Sequence, residues 1–318
     1  MTMYYVGIDV GGTNLVAGLV DREGSILRKA GVPVDKSLDG AGLCRQLVRL
    51  AVEVCREEGV ALDQIQAVGA GFPGLVDNRT GVVVQTANMP FRDTPVRQLF
   101  QQEWDVPFFL GNDANCAAIG EYWAGAAKGC DPAVVVTLGT GIGSGMVAGG
   151  RLFTGYANSG MEAGHMIIQP GGAPCGCGNY GCWEQYGSAT ALIRMTRQAM
   201  EQDRHSVLWE LCGGDLSKVQ GRTAFQGARQ GDGTALRVLE NYRQGLSIGL
   251  IDLVNILQPQ IICLGGGISN ADDDLLLTPL RELVKKGSYD KSMPTRLERA
   301  ALGNDAGVVG AALLCDMI

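Results

Sequence analysis

Histidine is nearly missing from this chain, with two in 318 residues, and there is no surplus of positive charge. Lys and Arg number 26 against 33 Asp and Glu, a formal net charge of -7, so the basic surface that neutralises nucleic-acid phosphates is not supplied. Long apolar runs are also absent, and no stretch approaches the ~20 residues of a membrane-spanning helix. The opening residues, MTMYYVGIDV, enter a strand-like pattern at once, without the charged and apolar regions of an export signal. These absences predict a cytoplasmic protein that binds neither nucleic acid nor membrane and whose partner is small. In that reducing compartment the ten cysteines read as thiols or metal ligands and not as disulfides. No GxxxxGK[ST] sequence occurs, which excludes a P-loop enzyme.

Set against that scarcity, one of the two histidines stands close before three cysteines. His165, Cys175, Cys177 and Cys182 follow the spacing H-x9-C-x-C-x4-C, two residues short of Glu184. Four such ligands fill a tetrahedral Zn2+, and a site closed by protein on all sides is structural rather than hydrolytic. The chemistry is therefore expected elsewhere. Cys44, Cys55, Cys116, Cys263 and Cys315 lie in apolar patterns and read as small buried hydrophobes, while His205 reads as a solvated surface residue.

Glycine is abundant, at 47 residues, and it clusters at the ends of apolar runs. Tyr4 to Val10, Leu15 to Val20 and Ser25 to Val32 read as a three-strand meander with a glycine hairpin first. The unit recurs as Ala133 to Leu138, a hairpin over Gly139 to Gly145, Met146 to Ala148, and Arg151 to Phe153. Two further buried strands, Ile65 to Ala70 and Ile261 to Leu264, each run into glycines. Apolar spacing of 3.6 residues predicts helices over Leu38 to Glu58, Ala114 to Ala127, Ala189 to Gln202, Thr234 to Leu257, Leu275 to Lys286 and Asp305 to Met317. Alternating strands and helices, with the β unit repeated, predict an α/β protein of two related domains. A small N-terminal domain is expected over 1–113 and a larger one, carrying the zinc loop, over 114–304, with the helix at about 305–318 packing back on the first.

Asp9, Gly11, Gly12, Thr13 and Asn14 place an acid at a strand end and then a turn whose backbone N–H groups are open to a phosphate, with Asp9 positioned to hold hydrated Mg2+. Gly139, Thr140 and Gly141 offer the same device a second time, and Gly265, Gly266 and Gly267 would let a helix N-terminus approach the adenosine end of a nucleotide. Each hairpin taken singly also fits a plain tight turn. Phosphoryl transfer to a hydroxyl needs a base, and Asn112-Asp113 closes the expected strand Val106 to Leu110 and opens a helix. Asp113 could accept the hydroxyl proton while Asn112 holds a neighbouring hydroxyl; either residue also fits a helix N-cap.

These stretches together resemble the ROK family of bacterial sugar kinases and repressors: DVGGTN at 9–14, GFPGLVD at 71–77, NDAN at 112–115, LGTGIG at 138–143, EAGH at 162–165, CGCGNYGCWE at 175–184 and GGGIS at 265–269. The resemblance spans nearly the whole chain and implies two actin/hexokinase-like (ribonuclease H-like) domains flanking a cleft. It implies an ATP- and Mg2+-dependent kinase acting on the 6-hydroxyl of a hexose, glucose first, with N-acetylmannosamine, N-acetylglucosamine or fructose as alternatives. In that reading Asp113 is the base, Glu162, His165 and Glu184 hold sugar hydroxyls with Asn112, and zinc braces their pocket. Asn88, in the TANMP turn, reads as a further pocket residue or a loop cap. A salt-bridged Glu162 and a helix-capping Glu184 are the plainer readings of those two carboxylates. A homo-oligomer, dimer or tetramer, is implied as well. The family's repressors need a DNA-reading element before the first phosphate loop, and eight residues precede Asp9 here. An actin-like or chaperone ATPase would lack the sugar carboxylates and the zinc loop.

Overall fold

The alternating β-branched run from Tyr4 closes on itself as expected: β1 (Tyr4–Val10), β2 (Asn14–Asp21) and β3 (Ile26–Pro33) form an antiparallel meander in a computed structural model that describes residues 3–86 and 89–318. Asp39 then starts α1 (Gly40–Glu58) by accepting the Gly42 N–H at 2.8 Å, and Gly59 ends it in the left-handed conformation. Next come β4 (Ile65–Phe72), the short strands β5 (Leu75–Asp77), β6 (Val82–Gln85) and β7 (Arg92–Thr94), α2 (Val96–Glu103), β8 (Phe108–Asn112) and α3 (Asp113–Ala124). The β unit repeats as β9 (Ala133–Leu138), β10 (Ile142–Ala148) and β11 (Arg151–Phe153). After a long irregular stretch follow α4 (Glu184–Gly187), α5 (Ala189–Gln202), α6 (Leu208–Leu211), α7 (Thr223–Arg229), α8 (Gly233–Leu257), β12 (Ile261–Gly265), α9 (Leu277–Gly287), β13 (Arg296–Arg299), α10 (Ala306–Ala312) and α11 (Leu314–Met317).

Two five-stranded sheets share one plan. The first runs β3-β2-β1-β4-β8 and the second β11-β10-β9-β12-β13, so in each the third strand is outermost beside the second and the fourth adjoins the first. This is the duplication that the repeated glycine hairpins predict. By internal packing the chain divides into one unit of Met1–Val135, Ser144–Met161 and Ala300–Ile318 and another of Val136–Gly143 and Glu162–Arg299. Within the first unit, β4 and β8 run parallel to β1, with Asp9 level with Gly71 and Phe72 level with Asn112. The carboxyl ends of adjacent parallel strands thus lie side by side, the edge at which open α/β sheets place ligands.

One face of that first sheet is filled by α1 and α2 with a core that includes Leu47, Val54, Phe72, Phe91, Phe100 and Phe108. Phe100 stacks on Phe108 with ring centroids 4.1 Å apart, and Phe72 meets Phe91 edge to face at 5.4 Å. The other face carries α3, α10 and α11, where Cys116, Ile119, Val308, Ala311 and Leu314 are buried. Fully buried Glu121 fastens this layer: its carboxylate accepts the N–H groups of Ala126 at 2.8 Å, Ala301 at 2.9 Å and Leu302 at 2.7 Å.

Several expectations are corrected. The terminal helix is broken at Leu313 into α10 and α11, which apolar spacing does not signal because residues on both sides are equally buried. The strand after the second glycine hairpin resumes at Ile142, not Met146, since glycines at 143 and 145 still pair in the sheet. The strand expected over Val106 to Leu110 spans Phe108–Asn112 instead. No helix among the described residues is long and apolar enough to cross a membrane.

Candidate active site

In the first unit, β1 delivers Asp9 to the sheet edge, and the turn to β2 is closed by the Gly11 N–H donating to Asn14 O at 3.0 Å. Gly11 and Gly12 are half-buried and Thr13 and Asn14 exposed, so the turn's backbone is reachable by a ligand. The start of α10 approaches Asp9 from the far end of the sequence: a Cβ on Gly307 would sit 3.2 Å from the carboxylate carbon, so a larger residue there would crowd the acid. Burial first, and the charge of Asp113 second, raise the Asp9 carboxyl from 3.8 to about 6. Asp113 itself is exposed, one residue inside α3, and accepts the Ala114 N–H at 2.9 Å.

Between the two N-cap readings the structure chooses Asn112. Its Oδ1 accepts the N–H groups of Ala114 at 2.9 Å and Asn115 at 3.2 Å, while Nδ2 donates to Gly74 O at 3.1 Å. One amide hydrogen is left over for a ligand. Two mutually repelling carboxylates at one sheet edge suit a divalent cation, whose charge removes the cost of ionising both.

In the second unit, His165, Cys175, Cys177 and Cys182 come together, with ligand atoms all within 4.8 Å of one another. Cys175 Sγ lies 3.7 Å from His165 Nδ1, and the sulfurs of Cys177 and Cys182 are 3.6 Å apart. Zinc–sulfur bonds of ~2.3 Å in a tetrahedron separate ligands by about 3.8 Å, so the donor set fits that ion. Nδ1 is the ring nitrogen that faces Cys175, and His165 is otherwise exposed. Burial pushes the Cys175 thiol up to about 12, whereas the backbone N–H of Asn179 holds Cys177 below its usual value. Isolated bridges Ile167–Cys182 and Pro174–Tyr180 shape the loop, and fully buried Trp183 anchors it to α8 through a 3.2 Å bond to Leu246 O.

Glu184, the first residue of α4, links this loop to the glycine turn. Cys175 donates to Glu184 Oε1 at 3.0 Å, and a Cβ on Gly141 would lie 2.4 Å from the other carboxylate oxygen. A side chain at 141 would therefore push the Glu184 carboxylate aside from the turn of Gly139, Thr140 and Gly141. No side-chain bond caps α4, and Glu162 is exposed without an ion pair among the described residues.

Gly265, Gly266 and Gly267 close β12, but a 3-10 turn (Gly267–Asn270) follows, and the next α-helix begins only at Leu277. The expected helix N-terminus is thus corrected to a short turn, since Asp272 to Asp274 interrupt the apolar spacing. Gly267 instead borders a cavity of about 260 Å3 with Arg222, Phe225, Arg229 and Ile268. Those α7 residues carry no motif, and only a basic pair around a buried aromatic could have pointed to them. Asn88 lies outside the described residues.

The sequence pattern of the ROK family matches residues 5–317. A glucokinase of Thermotoga maritima is 36% identical over 315 residues, covering 96% of this chain and 95% of that relative. A solved structure, a ROK family glucokinase from Streptomyces griseus in complex with glucose and AMPPNP, superposes with a TM-score of 0.83 at 34% identity over 98% of both chains. A xylose repressor of Caldicellulosiruptor bescii is 27% identical over 319 residues, covering 98% of this chain and 78% of the repressor.

Proposed function

This chain belongs to the ROK family and is a hexose kinase, and from that premise we propose that it moves the γ-phosphoryl group of ATP to the 6-hydroxyl of glucose. The observation that carries the reading is Asp113: an exposed carboxylate, beside the Asn112 cap and a half-buried second acid. Asp113 takes the proton of the 6-hydroxyl as that oxygen bonds to the γ-phosphorus, and the electrons of the broken P–O bond leave on ADP. Asn112 turns its spare amide hydrogen to a neighbouring hydroxyl. Glu162, His165 and Glu184 hold the remaining hydroxyls, with Asn88 as a further candidate.

Gly11 and Gly139 N–H close their own turns, and the remaining backbone N–H groups of Gly12 to Asn14 and of Thr140 and Gly141 donate to phosphate oxygens. Asp9 would hold Mg2+, which would supply positive charge against the phosphates. Arg222 and Phe225, with the Gly265 to Gly267 segment, receive the adenosine end. His165, Cys175, Cys177 and Cys182 hold a structural Zn2+, which fixes the angle of the imidazole against the sugar.

The test is a coupled ADP-release screen over glucose, N-acetylmannosamine, N-acetylglucosamine, mannose and fructose, repeated with Asp113→Asn. Glucose is expected to give the highest kcat/KM, and the variant to lose about a thousandfold in kcat, within the 10²–10⁴ range of general-base catalysis, while still binding sugar. Nucleotide hydrolysis indifferent to every sugar would sink the kinase assignment. A variant keeping more than a tenth of the wild-type rate would remove Asp113 as base.

A further inference from the structure

Among the described residues, five that are not glycine hold a left-handed backbone, and two of them, Asn158 and Met161, fall in the loop that leads to Glu162. Asparagine tolerates that conformation because its short side chain bonds locally, and here Asn158 accepts the Thr154 hydroxyl at 3.1 Å and donates to Asp77 Oδ1 at 3.1 Å. Methionine has no such compensation. A φ of 63° at Met161 therefore persists only because the surroundings impose it.

Those surroundings are two points of β10. The hydroxyl of buried Ser144 donates to the Met161 carbonyl oxygen, and Gly164 lies so close to the same strand that a Cβ on it would overlap Ile142 O. Glu162 stands between the two holds. It leads into a 3-10 turn (Ala163–His165) closed by the His165 N–H, which donates to Glu162 O at 3.0 Å. Returning Met161 to an ordinary negative φ, a rotation of roughly 120°, would swing its carbonyl off Ser144 and re-aim the residue that follows. The direction of Glu162 is thus set on one side by Met161 and on the other by Gly164. We propose that Ser144, acting through the Met161 carbonyl, is a positioning residue for Glu162 in sugar binding. This role rests on Glu162 being a sugar ligand, as proposed above. A carboxylate aimed before the sugar arrives loses less freedom on binding, so the gain falls on sugar affinity.

The experiment is steady-state kinetics of the full chain, glucose and ATP varied in turn, with the glucose Kd from calorimetry where turnover is too slow. The variants are Ser144→Ala, Met161→Val, Met161→Gly, Glu162→Ala and the double variant Ser144→Ala with Glu162→Ala. Ser144→Ala should raise the glucose KM about fivefold, the scale of one net hydrogen bond, and leave kcat and the ATP KM within about twofold. Met161→Val, whose branched side chain resists a positive φ, should do the same, while Met161→Gly, which adopts it freely, should stay close to wild type. In the Glu162→Ala background, removing the Ser144 hydroxyl should cost nothing further, whereas general damage to the fold would add. An unchanged glucose KM in Ser144→Ala, or a loss that persists undiminished without Glu162, would overturn the positioning role. A wild type that phosphorylates no hexose defeats the kinase reading and this role with it; normal turnover with Ser144→Ala at the wild-type glucose KM defeats the role alone.

Discussion

Asp9 offers a perturbation whose size follows from the structure. Its carboxyl rises from 3.8 to about 6 because burial, then Asp113, disfavour the charge. At ~1.4 kcal/mol for each pH unit, the ionised side chain costs the folded protein about 3 kcal/mol at neutral pH. The sign runs with the raised pKa: the folded state holds its proton more tightly than the unfolded chain, so stability is highest below 3.8 and falls as pH rises through about 6. Replacing Asp9 with Asn removes the charge and nearly preserves the shape. In metal-free buffer at pH 7.5 the variant should melt above wild type by about 6 °C, taking ~2 °C per kcal/mol for a chain of this size. The gap should narrow to about half at pH 5 and almost vanish below 3.8. Adding Mg2+ with nucleotide should raise the wild-type Tm more than that of the variant. Equal melting temperatures at pH 7.5, or a gap that persists unchanged at pH 4, would refute the claim that Asp9 carries a costly buried charge.

Cys177→Ser should release zinc, measured by a chromogenic chelator, and raise the sugar KM severalfold with a smaller effect on kcat; loss of zinc with an unchanged KM would reduce the metal to a fold staple. Glu121→Gln puts an NH2 group where a carboxylate oxygen now accepts N–H groups, so the urea midpoint should fall by the equivalent of about 1–3 kcal/mol. An unchanged midpoint would mean that the segment at Ala301 and Leu302 is held by other contacts.

Periodicity reads well where an element is long and one-sided. The meander β1 to β3 and α5 are legible almost to the residue. Strands of three or four residues such as β5, β6 and β7 are too short to show alternation, and α2 has only Val96 and Phe100 buried. Within the site, ligand spacing in the zinc loop and glycines after β1 and β9 are visible because the backbone geometry is local. Two kinds of information are not local. Which of Asn112 and Asp113 caps α3 depends on where each side chain points, a matter of one backbone rotation. The approach of Gly307 to Asp9 joins residues nearly three hundred positions apart, and no spacing rule carries it.

The contact of Glu184 with both Cys175 and Gly141 limits how this protein can change. Under the proposed function a mutation at that carboxylate would touch the cysteine loop, the sugar and the phosphate turn together, so a new sugar preference gained there would be accompanied by damage to the other two. Evolution toward a different substrate has an easier route through positions that serve one task, and Glu184 should stay as it is while they vary.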